Sequence, residues 1–169
     1  MNPKTLGQSS RRLGAANKTV GQSRVMLHQL MLPEHANAQG NVHGGVIMKI
    51  VDEAGAISAM RHAQRACVTV AIDDMTFHSP VHVGELLCCV ASVNFVGKTS
   101  MEVGVKVTAE NPITGEVTHT NSAYLVYVAI DDGGRPCPVP GLELETDEER
   151  RRWQQGKERQ SLRLGRRKD

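Results

Sequence analysis

Residues 40–55 read GNVHGGVIMKIVDEAG, and they contain the strongest helical pattern of the chain. Apolar side chains recur after its paired glycines at the spacing of one helical face, which predicts a long helix over about 43–62. Gly44 and Gly45 lie in its first turn, although glycine is a poor helix former, so something other than propensity places them there. The helix is apolar over much of its surface, and it therefore needs a sheet that curls around it.

Five other stretches alternate or are rich in β-branched residues, as strands are. Short, turn-like links join the last four, which favours antiparallel neighbours. One long helix and a five-stranded antiparallel sheet make an α+β domain, and its open sheet edges invite pairing with a second copy. The predicted strands are 23–32, 66–77, 85–96, 100–111 and 116–130.

The domain organisation follows from length and periodicity. The chain has 169 residues, which fits one domain. Residues 1–22 show no periodicity and are predicted to be a flexible basic arm, followed by the domain at 23–141 and a charged helical tail at 142–169. The tail has few apolar anchors, so we expect truncation after Gly141 to leave turnover largely intact.

Charge is unevenly placed along the chain. Residues 1–24 hold five basic residues and no acid, whereas the body from 25 to 142 has a net charge of −5. Basic ends are able to touch a polyanion, but solvated arms are the preferred interpretation, and no nucleic-acid partner is predicted. No apolar run is long enough for a membrane span.

The cysteines and the N-terminus indicate the compartment. Four cysteines occur without a C-x-x-C pair, which predicts neither a disulfide framework nor a metal site. No signal-peptide core is present, so a reducing cytoplasm is expected.

The helix start and its acids are the first candidates for chemistry. Free amides at a helix N-terminus carry the positive dipole end, so Gly44 and Gly45 fit a site that polarises a carbonyl, and equally fit tight helix–sheet packing. Asp52 lies opposite the apolar stripe, on the same side as Gly45. It is either a general base or nucleophile, or a surface acid paired with Lys49 or with a Lys or Arg elsewhere, and spacing alone slightly favours the surface acid. Glu53 follows Lys49 by four residues and is predicted to pair with it.

Two loops are further candidates. Asn37 precedes the helix and is either a turn residue or a group that orients a water or carbonyl. The turn VGKTS at 96–100 is either a plain hairpin or a phosphate contact. His43, His78 and His82 have no metal-ligand spacing.

Three longer segments resemble one family. They are LPEHANAQGNVHGGVIMKIVDEAGAI (32–57), VTVAIDDMTFHSPVHVGELLCCVASVNFVGKTSMEV (68–103) and RPCPVPGLELETDEERRRWQQGKERQ (135–160). Over about residues 25–160 the chain is similar to the hot-dog-fold acyl-CoA thioesterases, both bacterial single-domain enzymes and animal cytosolic hydrolases. The resemblance implies a sheet wrapped around the central helix, dimers that share a continuous sheet, and often hexamers as trimers of dimers.

The resemblance also implies roles for individual residues. Asp52 and Asn37 are the implied catalytic pair, Asn37 of one protomer meeting Asp52 of the other. The thioester carbonyl is held at the helix start, with His43 standing where bacterial members often carry Phe, and no cofactor is needed because coenzyme A belongs to the substrate. The implied substrate-binding residues are His43, Gly44 and Gly45, and the implied coenzyme A contacts are Thr69, Val70, Gly97, Lys98, Thr99 and Ser100.

Hydrolysis of acyl-CoA to a free acid and coenzyme A is therefore the expected reaction. One alternative is another hot-dog enzyme, either an enoyl-CoA hydratase or a thioesterase acting on acyl-carrier protein. The other is a non-catalytic acyl-CoA sensor. Against the hydratase, His43 and Asp52 are about 13.5 Å apart along the helix axis and on opposite sides.

Overall fold

The computed structural model describes residues 16–166, and its centre is a single five-stranded antiparallel sheet in the order β2-β4-β5-β6-β3. One long helix, α2, packs on the inner face of this sheet, and a second, α3, packs on its outer face. The elements are β1 Lys18–Thr19, α1 Val20–Ser23, β2 Val25–Leu30, a 3₁₀ turn Pro33–His35, α2 Gly44–Ala63, β3 Cys67–Phe77, β4 Leu86–Val96, β5 Ser100–Glu110, β6 Val117–Ala129, β7 Leu142–Glu143 and α3 Asp147–Arg166.

The predicted α+β architecture is confirmed, and every predicted strand is present within one or two residues of its expected ends. The predicted helix over 43–62 is α2, whose C-terminus is closed by Gln64 in the left-handed conformation. Its buried side chains meet the inner face of β4, β5 and β6 in one aliphatic core. Full burial of each Ile or Val side chain stabilises the fold by roughly 1.5–3 kcal/mol. The helix contributes Ile47, Ile50, Val51, Ala54 and Ala59 to this core.

Strand β3 forms one edge of the sheet and pairs only with β6 in the described chain. Two irregularities interrupt its register, between Thr69 and Ala71 and between Ile72 and Asp74. Its apolar side chains are largely exposed to solvent: Val70 is 47% exposed and Ile72 is 43% exposed. An apolar edge strand with free backbone groups is a template for pairing with another strand.

The ends of the domain differ from the expected boundaries. Residues 18–23 are ordered, because β1 pairs in parallel with β7 and α1 follows directly, so the ordered region begins before residue 23. The remainder of the expected arm, 1–15, lies outside the described residues. The predicted tail is helical only from Asp147, and α3 is packed against the sheet, with the rings of Trp153 and Phe95 at 5.4 Å.

Two further features bear on the predictions. All four cysteines are free thiols. Across residues 16–166, no helix is both long and apolar enough to cross a membrane.

Candidate active site

Asp52 is the centre of the most organised polar cluster on α2. Its Oδ1 accepts a hydrogen bond from the Thr69 hydroxyl at 2.7 Å and from the Tyr127 hydroxyl at 3.1 Å. Tyr127 also contacts the Asp52 backbone oxygen at 3.0 Å. Two donors on Oδ1 fix the carboxylate and leave Oδ2 with no hydrogen-bond donor among residues 16–166, so this oxygen is free to accept a proton or to attack.

The interpretation of Asp52 as a surface acid paired with Lys49 is wrong. Lys49 Nζ lies 3.6 Å from Glu53 Oε1 instead, which confirms the pair predicted for Glu53. Asp52 is half-buried between α2 and β3, whereas this neighbouring pair is largely solvated. Within residues 16–166, Asp52 thus belongs to no salt bridge, and its two side-chain donors are neutral hydroxyl groups.

Tyr127 is the functional residue that sequence reasoning missed. It is fully buried in β6, and burial raises the pKa of its phenol far above the ordinary value, with the Asp52 charge raising it further. The phenol therefore stays protonated and acts as a permanent donor to Asp52. Its position on the inward-facing alternation of β6 was a usable signal, since a buried tyrosine hydroxyl needs a partner.

Gly55 explains how a tyrosine fits against the helix. A Cβ at Gly55 would lie against the Tyr127 hydroxyl and 3.0 Å from its Cζ. Any side chain there would push the phenol away from Asp52. The glycine one turn after Asp52 is thus a requirement of the Asp52–Tyr127 contact.

The helix start differs in part from the expectation of two free glycine amides. His43 is the N-cap of α2, and its Nδ1 accepts the hydrogen bond of the Gly45 N–H at 2.9 Å. Gly45 is therefore engaged, and a Cβ there would lie 3.1 Å from the His43 ring. The Gly44 N–H has no acceptor among the described residues and remains the candidate for polarising a carbonyl. The ring of Phe77 lies 3.6 Å from the Cβ position of Gly44.

Asn37 shapes the loop that precedes this helix start. Its Oδ1 accepts hydrogen bonds from the backbone N–H of Gln39 at 2.9 Å and of Asn41 at 3.2 Å. The turn interpretation is correct for the oxygen. The Nδ2 group donates to no residue in the 16–166 range, so the amide nitrogen stays available to a ligand.

Within one protomer, the start of α2 lies far from Asp52. Eight residues separate Gly44 from Asp52, a rise of about 12 Å along α2. Gly44 lies beside Phe77 at one end of β3, whereas Asp52 contacts Thr69 near the other end. The two halves of the expected site thus lie at opposite ends of the same edge strand.

The turn between β4 and β5 lies at the Asp52 end of the sheet. Met101 is opposite Tyr127, and Gly97 closes the turn through its N–H to the Ser100 oxygen at 2.8 Å. Lys98 is exposed and, within residues 16–166, belongs to no ion pair. The Ser100 hydroxyl accepts a hydrogen bond from Gln160 of α3 at 3.4 Å.

Two of the expected coenzyme A contacts lie on β3. Thr69 donates its hydroxyl hydrogen bond to Asp52, and Val70 is exposed at the first irregularity of the strand.

Across residues 16–166, no three His, Cys, Asp or Glu side chains are grouped to hold a metal ion. His78 and His119 face each other with ring centroids 5.9 Å apart, and His82 lies in a backbone bridge with Asn41.

Fold and site together define a hot-dog domain: an antiparallel sheet around a central helix that presents one held carboxylate to an open sheet edge. A family profile described as the thioesterase superfamily matches residues 39–127. The chain belongs to the thioesterase superfamily.

Individual relatives agree with this assignment. Protein VdlD of Helicobacter pylori is 37% identical over 145 residues, which are 86% of this chain and 83% of VdlD. A hexameric acyl-CoA thioesterase solved in its apo form superposes with a TM-score of 0.86 at 39% identity, covering 90% of this chain and 97% of its own. An acyl-CoA hydrolase from Staphylococcus aureus, solved with butyryl coenzyme A, coenzyme A and coenzyme A disulfide, gives a TM-score of 0.82 at 33% identity, with 89% and 92% covered.

Proposed function

We propose that this chain hydrolyses acyl-CoA thioesters to a free acid and coenzyme A. The observation that carries the proposal is the Asp52 carboxylate, held by Thr69 and Tyr127 with one oxygen free, in a domain of the thioesterase superfamily. The two solved structures described above are an acyl-CoA thioesterase and an acyl-CoA hydrolase.

In the proposed reaction the Gly44 N–H donates to the thioester carbonyl oxygen and stabilises the negative charge that develops there. Asp52 Oδ2 takes a proton from water as the water oxygen bonds to the carbonyl carbon. The carbon–sulfur bond then breaks, and the coenzyme A thiolate receives the proton. Direct attack by Oδ2, followed by hydrolysis of the resulting anhydride, uses the same residues.

A composite site across a two-fold axis supplies the geometry that one protomer lacks. Two copies of β3 pairing antiparallel would place the Thr69 end of one strand beside the Phe77 end of its partner. Asp52 of one protomer would then face Gly44 and Asn37 of the other. The exposed apolar side chains of β3 support this pairing, since an interface is where they would be buried.

Solved variants of the S. aureus hydrolase support the same residues. An asparagine, an aspartate and a threonine of that protein were each replaced by alanine. These three positions are separated by 15 and 17 residues along its chain. Asn37, Asp52 and Thr69 are of the same types at the same two intervals.

A dimer is the smallest assembly that completes this site, and we propose a trimer of dimers because similar solved structures are hexameric. The exposed Lys98 turn is proposed to receive the phosphates of coenzyme A, since it lies at the Asp52 end of the sheet. The reaction needs water and no cofactor. A cytoplasmic location is proposed from a rat relative named cytosolic acyl coenzyme A thioester hydrolase, 35% identical over 143 residues.

Mixing two inactive variants tests the composite site. Asp52→Asn and Asn37→Ala proteins are each expected to be nearly inactive. Their re-associated heterodimers contain one site with both residues intact, so activity should return to about half of wild type per heterodimer. Mass spectrometry first demonstrates that subunits have exchanged. The activity of the mixture is then measured as thiol release from acyl-CoA substrates of increasing chain length. Exchange without any return of activity would show that the two residues do not act across an interface.

A further inference from the structure

A polar cavity lies on the outer face of the sheet, away from α2 and Asp52. Its volume is about 490 Å³, and we call it the outer basin. Strands β4, β5 and β6 form its floor, and the first half of α3 forms one wall. Its cations are Arg24, Lys106, Arg151 and Arg152, and its deepest polar side chains are Ser92 and Asn94.

The charge of the outer basin is strongly unbalanced. Glu148 is its one acid, and Arg151 and Arg152 both bind this carboxylate, at 2.7 and 2.8 Å. Two guanidinium groups thus share a single negative charge. Arg24 and Lys106 form no ion pair within residues 16–166. The cavity therefore carries a net charge of +3 in a domain whose body is acidic.

The floor of the basin is built from buried polar groups. Ser92 is 7% exposed and Asn94 is 4% exposed, and both line the cavity. The Ser92 hydroxyl forms no hydrogen bond with any residue in the described range and, unlike the Ser58 hydroxyl, it is not fully shut off from solvent. A Cβ at Gly104 would clash with the Asn94 amide, 3.2 Å from its Cγ, so glycine is what lets Asn94 lie flat across the floor. A bound anion would supply the acceptor that Ser92 lacks.

We propose that the outer basin binds a phosphate-bearing small molecule with at least two negative charges. Guanidinium groups present paired N–H donors that match phosphate oxygens, and Lys106 adds a point charge from the floor. The volume is in the range of small-ligand pockets. A nucleic acid fits less well, because the body outside this cavity has a net negative charge that would repel a long polyanion.

This site is separate from the proposed thioesterase site. The sheet itself lies between them, since α2 and Asp52 contact the inner face and Lys106, Ser92 and Asn94 face outward. Binding in the outer basin is thus independent of whether the chain hydrolyses acyl-CoA.

Calorimetric titration of the full chain with inorganic pyrophosphate tests the proposal. We expect saturable binding that weakens about tenfold or more in Lys106→Gln, and further in Arg24→Gln/Lys106→Gln, since each cation loses a charge-assisted contact. Arg135→Gln, an exposed arginine outside the basin, is the matched control and should bind as wild type does. Circular dichroism of the free variants confirms that they fold.

Two further binding measurements test where pyrophosphate binds and which kind of phosphate compound the cavity prefers. Asp52→Asn and Lys98→Gln should retain pyrophosphate binding, because neither residue lines the outer basin. Adenosine 3′,5′-bisphosphate distinguishes a nucleotide, which would bind more tightly than pyrophosphate, from the phosphate group alone. Three results would each overturn the proposal. They are no saturable pyrophosphate binding up to about 1 mM, equal pyrophosphate affinity in Lys106→Gln and the wild type, and loss of pyrophosphate binding in Lys98→Gln alone.

Discussion

The two faces of the sheet hold their helices by different interactions. On the inner face, α2 is fixed by aliphatic side chains in the continuous core, with Asp52 as a polar group at its margin. On the outer face, α3 is fixed largely by charge. Arg159 binds Glu102 through two nitrogens at 3.0 and 2.7 Å, and Glu102 is only 2% exposed. The Arg159 guanidinium also lies 3.8 Å from the ring centroid of Tyr124.

The two faces of the sheet are therefore expected to be sensitive to different substitutions. The hydrophobic packing of α2 is spread over many residues, so no single side chain decides the position of the helix that carries Asp52. A buried ion pair is the opposite case, because removing one partner leaves an unpaired charge in the interior. Arg163 extends the outer contacts to Asp73, at the second irregularity of β3, and so links α3 to the strand that carries Thr69.

The largest effect is expected at the inner face. Asp52→Asn keeps the shape of the side chain but removes its basicity, and kcat for an acyl-CoA should fall by about 10²–10⁴. Binding of a non-hydrolysable thioether analogue should persist. Glu53→Gln is the matched control, since its partner Lys49 is exposed and its loss should leave turnover near wild type. A kcat within a few-fold of wild type for Asp52→Asn would remove Asp52 from the chemistry.

The outer face is expected to respond in stability instead. Arg159→Ala leaves the buried Glu102 unpaired and should lower the free energy of unfolding by about 3–5 kcal/mol in urea titrations. Glu102→Gln in the same chain should restore part of this loss by removing the buried charge. Arg150→Ala breaks an exposed pair with Asp147 and should cost at most about 1 kcal/mol. If both arginine variants lose the same free energy of unfolding, the buried Arg159–Glu102 pair contributes no more to stability than the exposed Arg150–Asp147 pair.

Truncation after Gly141 extends the same contrast. The sequence predicts that this truncation leaves turnover largely intact, and the premise of few apolar anchors is correct, since Leu162 is 65% exposed. The contacts that hold α3 are polar and stacked, and the truncation removes all of them. We now expect a shortened chain with a lower melting temperature and reduced turnover. A truncated protein with wild-type activity and stability would show that α3 is dispensable for both.

Smaller effects are expected from the donors to Asp52. Thr69→Val and Tyr127→Phe each remove one hydrogen bond to the carboxylate, worth about 1.5–3 kcal/mol to a charged group, and should reduce kcat by roughly tenfold or more. Tyr127→Phe keeps the ring beside Gly55, so any fall in its melting temperature should reflect the lost hydrogen bonds and not lost packing. Both variants should retain affinity for the thioether analogue. A loss of affinity with kcat unchanged would assign Thr69 to substrate binding rather than to Asp52.

The smallest effect concerns a polar exception within the inner face. His62 is fully buried with Nε2 2.9 Å from the Pro140 oxygen, and burial lowers its pKa below the ordinary value of 6.5. As the pH falls through 6.5, the unfolded chain takes up a proton that the folded chain, with its lowered pKa, takes up only at lower pH. The free energy of unfolding should therefore fall with falling pH, by at most about 1.4 kcal/mol per pH unit from this group. His62→Gln should flatten the slope between pH 7 and 5 by that contribution. Equal slopes in His62→Gln and in the wild type would exclude His62.

Several features of the fold and site were predictable from local pattern. The apolar period of α2 and the alternation of the strands are properties of neighbouring residues, which is why both the architecture and most element ends were correct. Asp52, Gly44 and Asn37 were candidates by residue type and position around one helix start, and the family resemblance implied the catalytic roles of Asp52 and Asn37. The helix and strand predictions need only distances along the chain.

Contacts between distant segments were decided by the tertiary structure. Tyr127 reaches Asp52 across 75 residues, and Arg159 reaches Glu102 across 57. Sequence alone predicted neither, because the register of β6 against α2, and the packing of α3 on β5, depend on how the whole sheet twists and closes. The same limit applied to Gly45, whose amide was expected to be free until the ring of His43 was placed. The sequence thus determined the candidate residues of the site, whereas the tertiary structure set which groups contact them and which glycine amide remains without an acceptor.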